Sequence, residues 1–375
     1  MGLFSRSKKK KSSHEPDKAG DDFVHYKGDG FDCRTESGVG KVFLVPAADG
    51  VPRKDEFMDG IFDDSFMGSA PDVASKYAAN DWYEMSANKG NCDAQFNLAF
   101  NLEHGIGVER NIEKAVEWYT KAAAGGNFKA YCCLGCIYAS DEKMADLEKS
   151  YKYLSRASTE GVPRANYLLY VMYMKGMGTE EPNPYLAIKC LKESAEEKDP
   201  AGLYVMGQLS IHGNEYVDKS GDRAWKYFEE SALLGCVPAM TAVGIMLCFG
   251  IGGKICNRDI AYSMMMAAAD RGDAVASNAL GVMNFCSMTQ TCSPDKSGEL
   301  FRISAEAGDG AALNNLAVIR CLASGNPKDS EEIFRKASEN GSTAAAGNFI
   351  AVSHGRNMSL EIYCGCAVFT LNSDA

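Results

Sequence analysis

The sequence predicts an all-α protein built as a solenoid of about seven helical hairpins, with a half-repeat at each end. Three observations carry that expectation. An alanine recurs at Ala94, Ala130, Ala165, Ala201, Ala239, Ala276, Ala312 and Ala345, at gaps of 36, 35, 36, 38, 37, 36 and 33 residues. Four residues after each stands an apolar side chain: Leu98, Leu134, Leu169, Val205, Val243, Leu280, Leu316 or Phe349. A closing residue precedes each unit: Gly90, Gly126, Gly161, Lys198, Gly235, Gly272, Gly308 or Gly341. A fixed period of roughly 20–50 residues marks units that cannot bury their apolar faces alone and stack into one continuous core.

The first full unit shows the plan. In Ala94 to Gly126, Leu98, Ala99 and Leu102 share one helical face, and Ala115, Trp118, Tyr119, Ala122 and Ala123 share another. The glycine pairs Gly105/Gly107, Gly176/Gly178 and Gly250/Gly252 fall between the two helices of their units. They follow a helix, not a strand, and no Gly-Lys-Ser/Thr accompanies them. They are therefore read as left-handed helix ends, not phosphate loops. Asn111 and Ser220 are expected to cap the second helices.

The flanks differ. Residues 1–20 are rich in Lys, Ser, Asp and Gly and are expected to be disordered, and residues 1–70 as a whole do not fit the repeat. Gly2 and the lysines 8–11 hint at a lipidated end, but Arg6 stands where that motif wants Ser or Thr. A short β-like run, Val42 to Val45, precedes an alternation of acidic and apolar residues from Asp55 to Gly68. A helix opening at Pro71 and carrying Tyr77, Trp82, Tyr83 and Met85 matches the second helix of a unit. The array is expected to span 71–353. Residues 354–375 would form a C-terminal tail that either caps the last core face or pairs with the 42–45 run.

Composition narrows the function. An apolar content of 46% suffices for a core, and a net charge of -11 argues against nucleic acid as a partner. The start of the chain has no apolar stretch of the secretory kind. The uncharged run Ser231 to Gly253 contains Pro238 and repeat landmarks, so it reads as a loop plus one core helix, not a membrane span. The 14 cysteines are expected as reduced thiols, many of them small core fillers such as Cys132, Cys136, Cys248, Cys286 and Cys321.

The run GIGVERNIEKAVEWYTKAAAGGNFKAYCCLGCIY, from Gly105 to Tyr138, closely resembles the Sel-one-like repeat, a relative of the tetratricopeptide repeat. The matching features are Gly-x-Gly-Val, Lys-Ala before Trp-Tyr, Lys-Ala-Ala before glycine, and Ala-x-x-x-Leu-Gly-x-x-Tyr. The resemblance covers about residues 71–353. It implies a right-handed α/α solenoid that serves as a scaffold or adaptor for other proteins; separately, the motifs give no reason to expect a cofactor. A secreted branch of the family has a disulfide in each unit, its cysteines eight positions apart across the inter-unit loop. Here Ala123 and Tyr131 occupy those positions, and Cys248 and Cys256 fall across the hairpin turn instead. A reduced, cytoplasmic location follows as an expectation.

Reactive constellations are sparse. Cys133-Leu134-Gly135-Cys136 lacks both a βαβ context and a second cysteine pair, so it reads as core packing. His104, His212 and His354 fall near the ends of first helices, where a cation suits the helix dipole. Neither a catalytic nor a metal site is expected. The competing reading is an enzyme or ligand-binding regulatory subunit with a site at the edge of the solenoid.

A second apolar stripe is the informative feature. Positions two, six and nine after the opening alanine point away from the core face, yet they carry Phe96, Phe100, Tyr167, Val171, Met174, Ile245, Val282, Phe285 and Val318. Such a helix is either buried on all sides or presents its far side to a ligand. By analogy with tetratricopeptide arrays this stripe lines a concave groove for a peptide or helix, with Asn278 and Asn314 available to bond a peptide backbone. Residues 55–68, which alternate Phe, Met and Ile with aspartates, could dock there as the chain's own pseudo-ligand.

Overall fold

A computed structural model describes residues 73–353, apart from 142, 179, 180 and 325, together with two short strands beyond them. The half-repeat helix is α1 (Val73–Asn88). Seven hairpins follow. They are α2 (Cys92–His104) with α3 (Ile112–Ala124), α4 (Lys129–Ser140) with α5 (Leu147–Thr159), and α6 (Pro163–Lys175) with α7 (Pro184–Glu196). Next come α8 (Pro200–His212) with α9 (Gly221–Leu233), α10 (Val237–Phe249) with α11 (Arg258–Ala269), α12 (Ala274–Phe285) with α13 (Ser297–Glu306), and α14 (Gly310–Ser324) with α15 (Glu331–Glu339). The terminal helix is α16 (Thr343–Ser353). Each helix packs on the one before and the one after, and first helices also touch across units, as α6 does α8 and α10 does α12. Beyond α16, β1 (Met358–Ser359) and β2 (Asn372–Ser373) pair antiparallel, Met358 opposite Ser373. The 42–45 run and residues 360–371 lie outside the described residues.

Local chemistry sets the helix ends. The Asn111 and Ser220 side chains accept hydrogen bonds from the amides of Lys114 and Arg223, satisfying donors that a helix start leaves without partners. Pro163, Pro184 and Pro200 open their helices in the first turn, where a missing N–H costs nothing. Gly105, Gly176 and Gly250 end α2, α6 and α10 in the left-handed conformation. The closing positions between units are left-handed as well, with φ between 63° at Lys198 and 101° at Gly126.

Packing follows a knob-and-notch rule. Each second helix sends one large side chain into the core, and Tyr119, Leu154, Leu191, Phe228, Met265, Phe301 and Phe334 are all fully buried. In four units the first helix receives it on a glycine five positions after the opening residue, Gly135, Gly207, Gly244 or Gly281, whereas α6 carries Tyr170 there. A Cβ on Gly281 would lie 2.5 Å from the Phe301 ring, and one on Gly135 2.6 Å from Leu154. Fully buried large side chains of this kind are each worth about 1.5–3 kcal/mol.

The rule corrects the register of one unit. The sequence reading placed the opening residue of α8 at Ala201, but Ala201 is half-buried whereas Gly202 is buried. Gly207, five residues on, takes the Phe228 ring as Gly281 takes Phe301. Gly202 is therefore position zero, and Met206, not Val205, is the core residue four later. A Cβ at 202 would collide with Ser194, which is why this unit opens on glycine. The neighbouring gaps become 37 and 37 residues, counted from Ala165 to Gly202 to Ala239.

Candidate functional site

The first helices are buried nearly all round, in unbroken runs such as Arg164–Met172 in α6 and Ala276–Asn284 in α12. Second helices bury one face only: Ala115, Tyr119, Ala122 and Ala123 in α3, or Ala261, Met265 and Ala268 in α11. A first helix lies against its own partner and the preceding second helix, and α6 with α8, α10 with α12, and α14 with α16 also touch, so little of its surface is left for water.

That geometry decides most of the second stripe. Phe96, Phe100, Tyr167, Val171, Ile245, Val282 and Val318 are buried, and only Met174 and Phe285 are half-open. Phe96 meets Tyr119 edge to face at 5.5 Å, and Phe100 stacks on His104 at 4.0 Å. Ile245 and Val282 line a cavity of about 10 Å³ with Cys248, Met265 and Met283. A continuous open groove along the stripe is thus replaced by a largely buried wall, half-open at Met174 and Phe285 and, in the corrected register of α8, at Tyr204 and Gln208. Residues 55–68 lie outside the described residues.

Asn278 and Asn314 also turn inward. Asn315 Nδ2 donates to Asn278 Oδ1 at 2.9 Å, and Asn348 Nδ2 donates to Asn314 Oδ1 at 2.8 Å. Amides at positions two and three thus link α12, α14 and α16 in a ladder through the dry interior. Their bonding capacity serves the stack, because a buried amide left unmatched would be costly. The adjacent asparagines Asn314-Asn315, one unit after Asn278, were the available sequence signal.

A second polar cluster escaped the sequence reading. The Glu103 carboxylate at the end of α2 is 4% exposed and accepts a 2.7 Å bond from the Tyr119 hydroxyl. Burial pushes its pKa up, opposed by Tyr119, His104 and Arg110. Burial likewise raises the Cys133 and Cys136 thiols far above the ordinary cysteine range, the reverse of what a nucleophile or redox thiol requires. The Cys-x-x-Cys pair is core packing, as its sequence context implied. Among the described residues the cysteines are free thiols, and no cluster of three or more His, Cys, Asp or Glu side chains is placed to hold a metal. No helix among them is long and apolar enough to cross a membrane.

Known proteins share this pattern. The Sel1 repeat profile matches residues 71–91, 92–127, 134–162, 163–199, 200–236 and 237–273. The chain is 35% identical over 130 residues to sel1-like repeat-containing protein L21 of Acanthamoeba polyphaga mimivirus, covering 34% of this chain and 23% of that protein. It is 28% identical over 170 residues to DAP3-binding cell death enhancer 1 of Mus musculus, covering 35% of this chain and 33% of that one. The chain therefore spans a third or less of either relative. The crystal structure of c5321, a protective antigen of uropathogenic Escherichia coli displaying an SLR fold, superposes with a TM-score of 0.53 at 23% identity. That superposition covers 81% of this chain and 65% of the other, and speaks to the fold alone.

Proposed function

The chain belongs to the Sel1 repeat family, and from that premise we propose that it is a protein–protein interaction scaffold or adaptor, binding a peptide or helix along the concave side of its first helices. The observation that carries the reading is the half-open apolar pair Met174 and Phe285 at position nine of α6 and α12, on a wall of first helices that is largely closed by its own packing. A rigid wall with a few accessible apolar anchors suits recognition, because binding energy concentrates in a small number of well-supported side chains. A relative named for binding another protein, DAP3-binding cell death enhancer 1, agrees with this class of function. Free thiols in every described unit that has cysteine fit a reducing compartment such as the cytoplasm.

The test is an affinity capture with the full chain as bait beside its Met174→Asp/Phe285→Asp variant. Proteins retained by the wild type and lost by the variant, with helical content unchanged, support the reading. An identical set retained by both rejects it.

A further inference from the structure

The helix α1 has the sequence of a second helix but no first helix to close its hairpin among the described residues. Trp82, Tyr83, Ala87 and Gly90 stand 36 residues before Trp118, Tyr119, Ala123 and Gly126. In the next unit Trp118 packs against a cluster that includes Ala94 and Leu98, both on the first helix of its own hairpin. Trp82 has no such cover and is 74% exposed, with Met85 beside it at 58%. Exposed large apolar side chains adjoining one another at the open end of a repeat stack are what terminal caps exist to cover.

We propose that residues 57–67 pack across α1 in the place of the missing first helix, with Phe62 and Phe66 covering Trp82. The register of the repeat points to this segment. Subtracting the same 36 residues from Ala94, Leu98 and Leu102 gives Met58, Phe62 and Phe66, an apolar row at i, i+4 and i+8. The tether is long enough, since residues 68–72 can span about 16 Å against the 8–10 Å between packed helices. Two positions depart from the pattern: Met58 stands at position zero, where the described units carry alanine or glycine, and Asp63 at position five, where they carry glycine or an apolar residue. This berth is distinct from the concave wall of the scaffold reading. It makes the 55–68 segment a cap for the stack, not a competitor for its partner.

Hydrogen exchange on the full chain tests the idea, with Phe62→Asp/Phe66→Asp as the disrupting variant and Phe62→Leu/Phe66→Leu as the conservative one. Leucine is the residue the next unit uses at both places. The α1 amides should exchange at least ten-fold faster in the aspartate variant and stay protected in the leucine variant. The α6–α10 amides should be unchanged in both, which guards against general unfolding. Acrylamide quenching of tryptophan should rise in the aspartate variant, and that rise should vanish when Trp82→Phe is added. Equal α1 exchange in wild type and aspartate variant would overturn the proposal. So would protection that depends on protein concentration, which would assign the face to a second copy of the chain.

Discussion

Arg164 at the start of α6 and Asp199 at the start of α8 meet in a buried ion pair, Nε 2.6 Å from Oδ1, although 35 residues separate them. The other carboxylate oxygen of Asp199 accepts from the Gly202 amide at 2.9 Å and so caps α8. One side chain therefore fixes both the helix end and the spacing between units. Asp199→Ala should cost roughly 3–5 kcal/mol by stranding a buried guanidinium, and the lost cap adds about 1 kcal/mol. Urea unfolding checks this. Replacing both partners with apolar residues should cost clearly less than the single change, because no charge is then stranded.

Glu103 supplies a pH dependence. Burial holds its carboxyl above the ordinary glutamate value of 4.5, so the folded chain keeps a proton that the unfolded chain has lost. Stability from this group is therefore greatest at acid pH and declines as pH rises from about 4.5 through the raised value. Glu103→Gln stays neutral at every pH and can still accept from Tyr119. Its stability relative to wild type should improve between pH 4.5 and pH 7.5 in parallel denaturation curves. A constant difference at the two pH values would count against a raised pKa at Glu103.

Core and wall can be separated by truncation. Leu280 is fully buried at position four of its unit, and Leu280→Ala should cost about 2–5 kcal/mol. Phe285 is half-open, so Phe285→Ala should cost less while reducing partner binding more. Equal losses of stability would mean that Phe285 is core after all.

Lys198 holds φ 63° where the other closing positions carry glycine. An L side chain is strained there, and Lys198→Gly should raise the urea midpoint without changing the slope. The exposed contact of Lys198 with Glu230 is a weak counterweight. A lowered midpoint would mean that the pair outweighs the backbone strain.

The repeat, the helix ends and the packing role of the Cys-x-x-Cys run are legible in the chain before any fold is known. These depend on short-range chemistry: a cap three residues from the amide it serves, a glycine where the backbone turns left-handed, an apolar face at helical spacing. Even there the sequence reading misplaced one unit, because alanine and glycine next to each other at 201 and 202 differ only in how closely Ser194 can approach. The fate of the second stripe is a tertiary matter: second helices and neighbouring first helices close over Phe96, Tyr167 and Val318 and leave Met174 and Phe285 half-open. The same packing turned Asn278 and Asn314 inward to Asn315 and Asn348, and enclosed Glu103 against Tyr119. Periodicity states which side of a helix a residue occupies. Whether that side meets water depends on what the neighbouring units press against it.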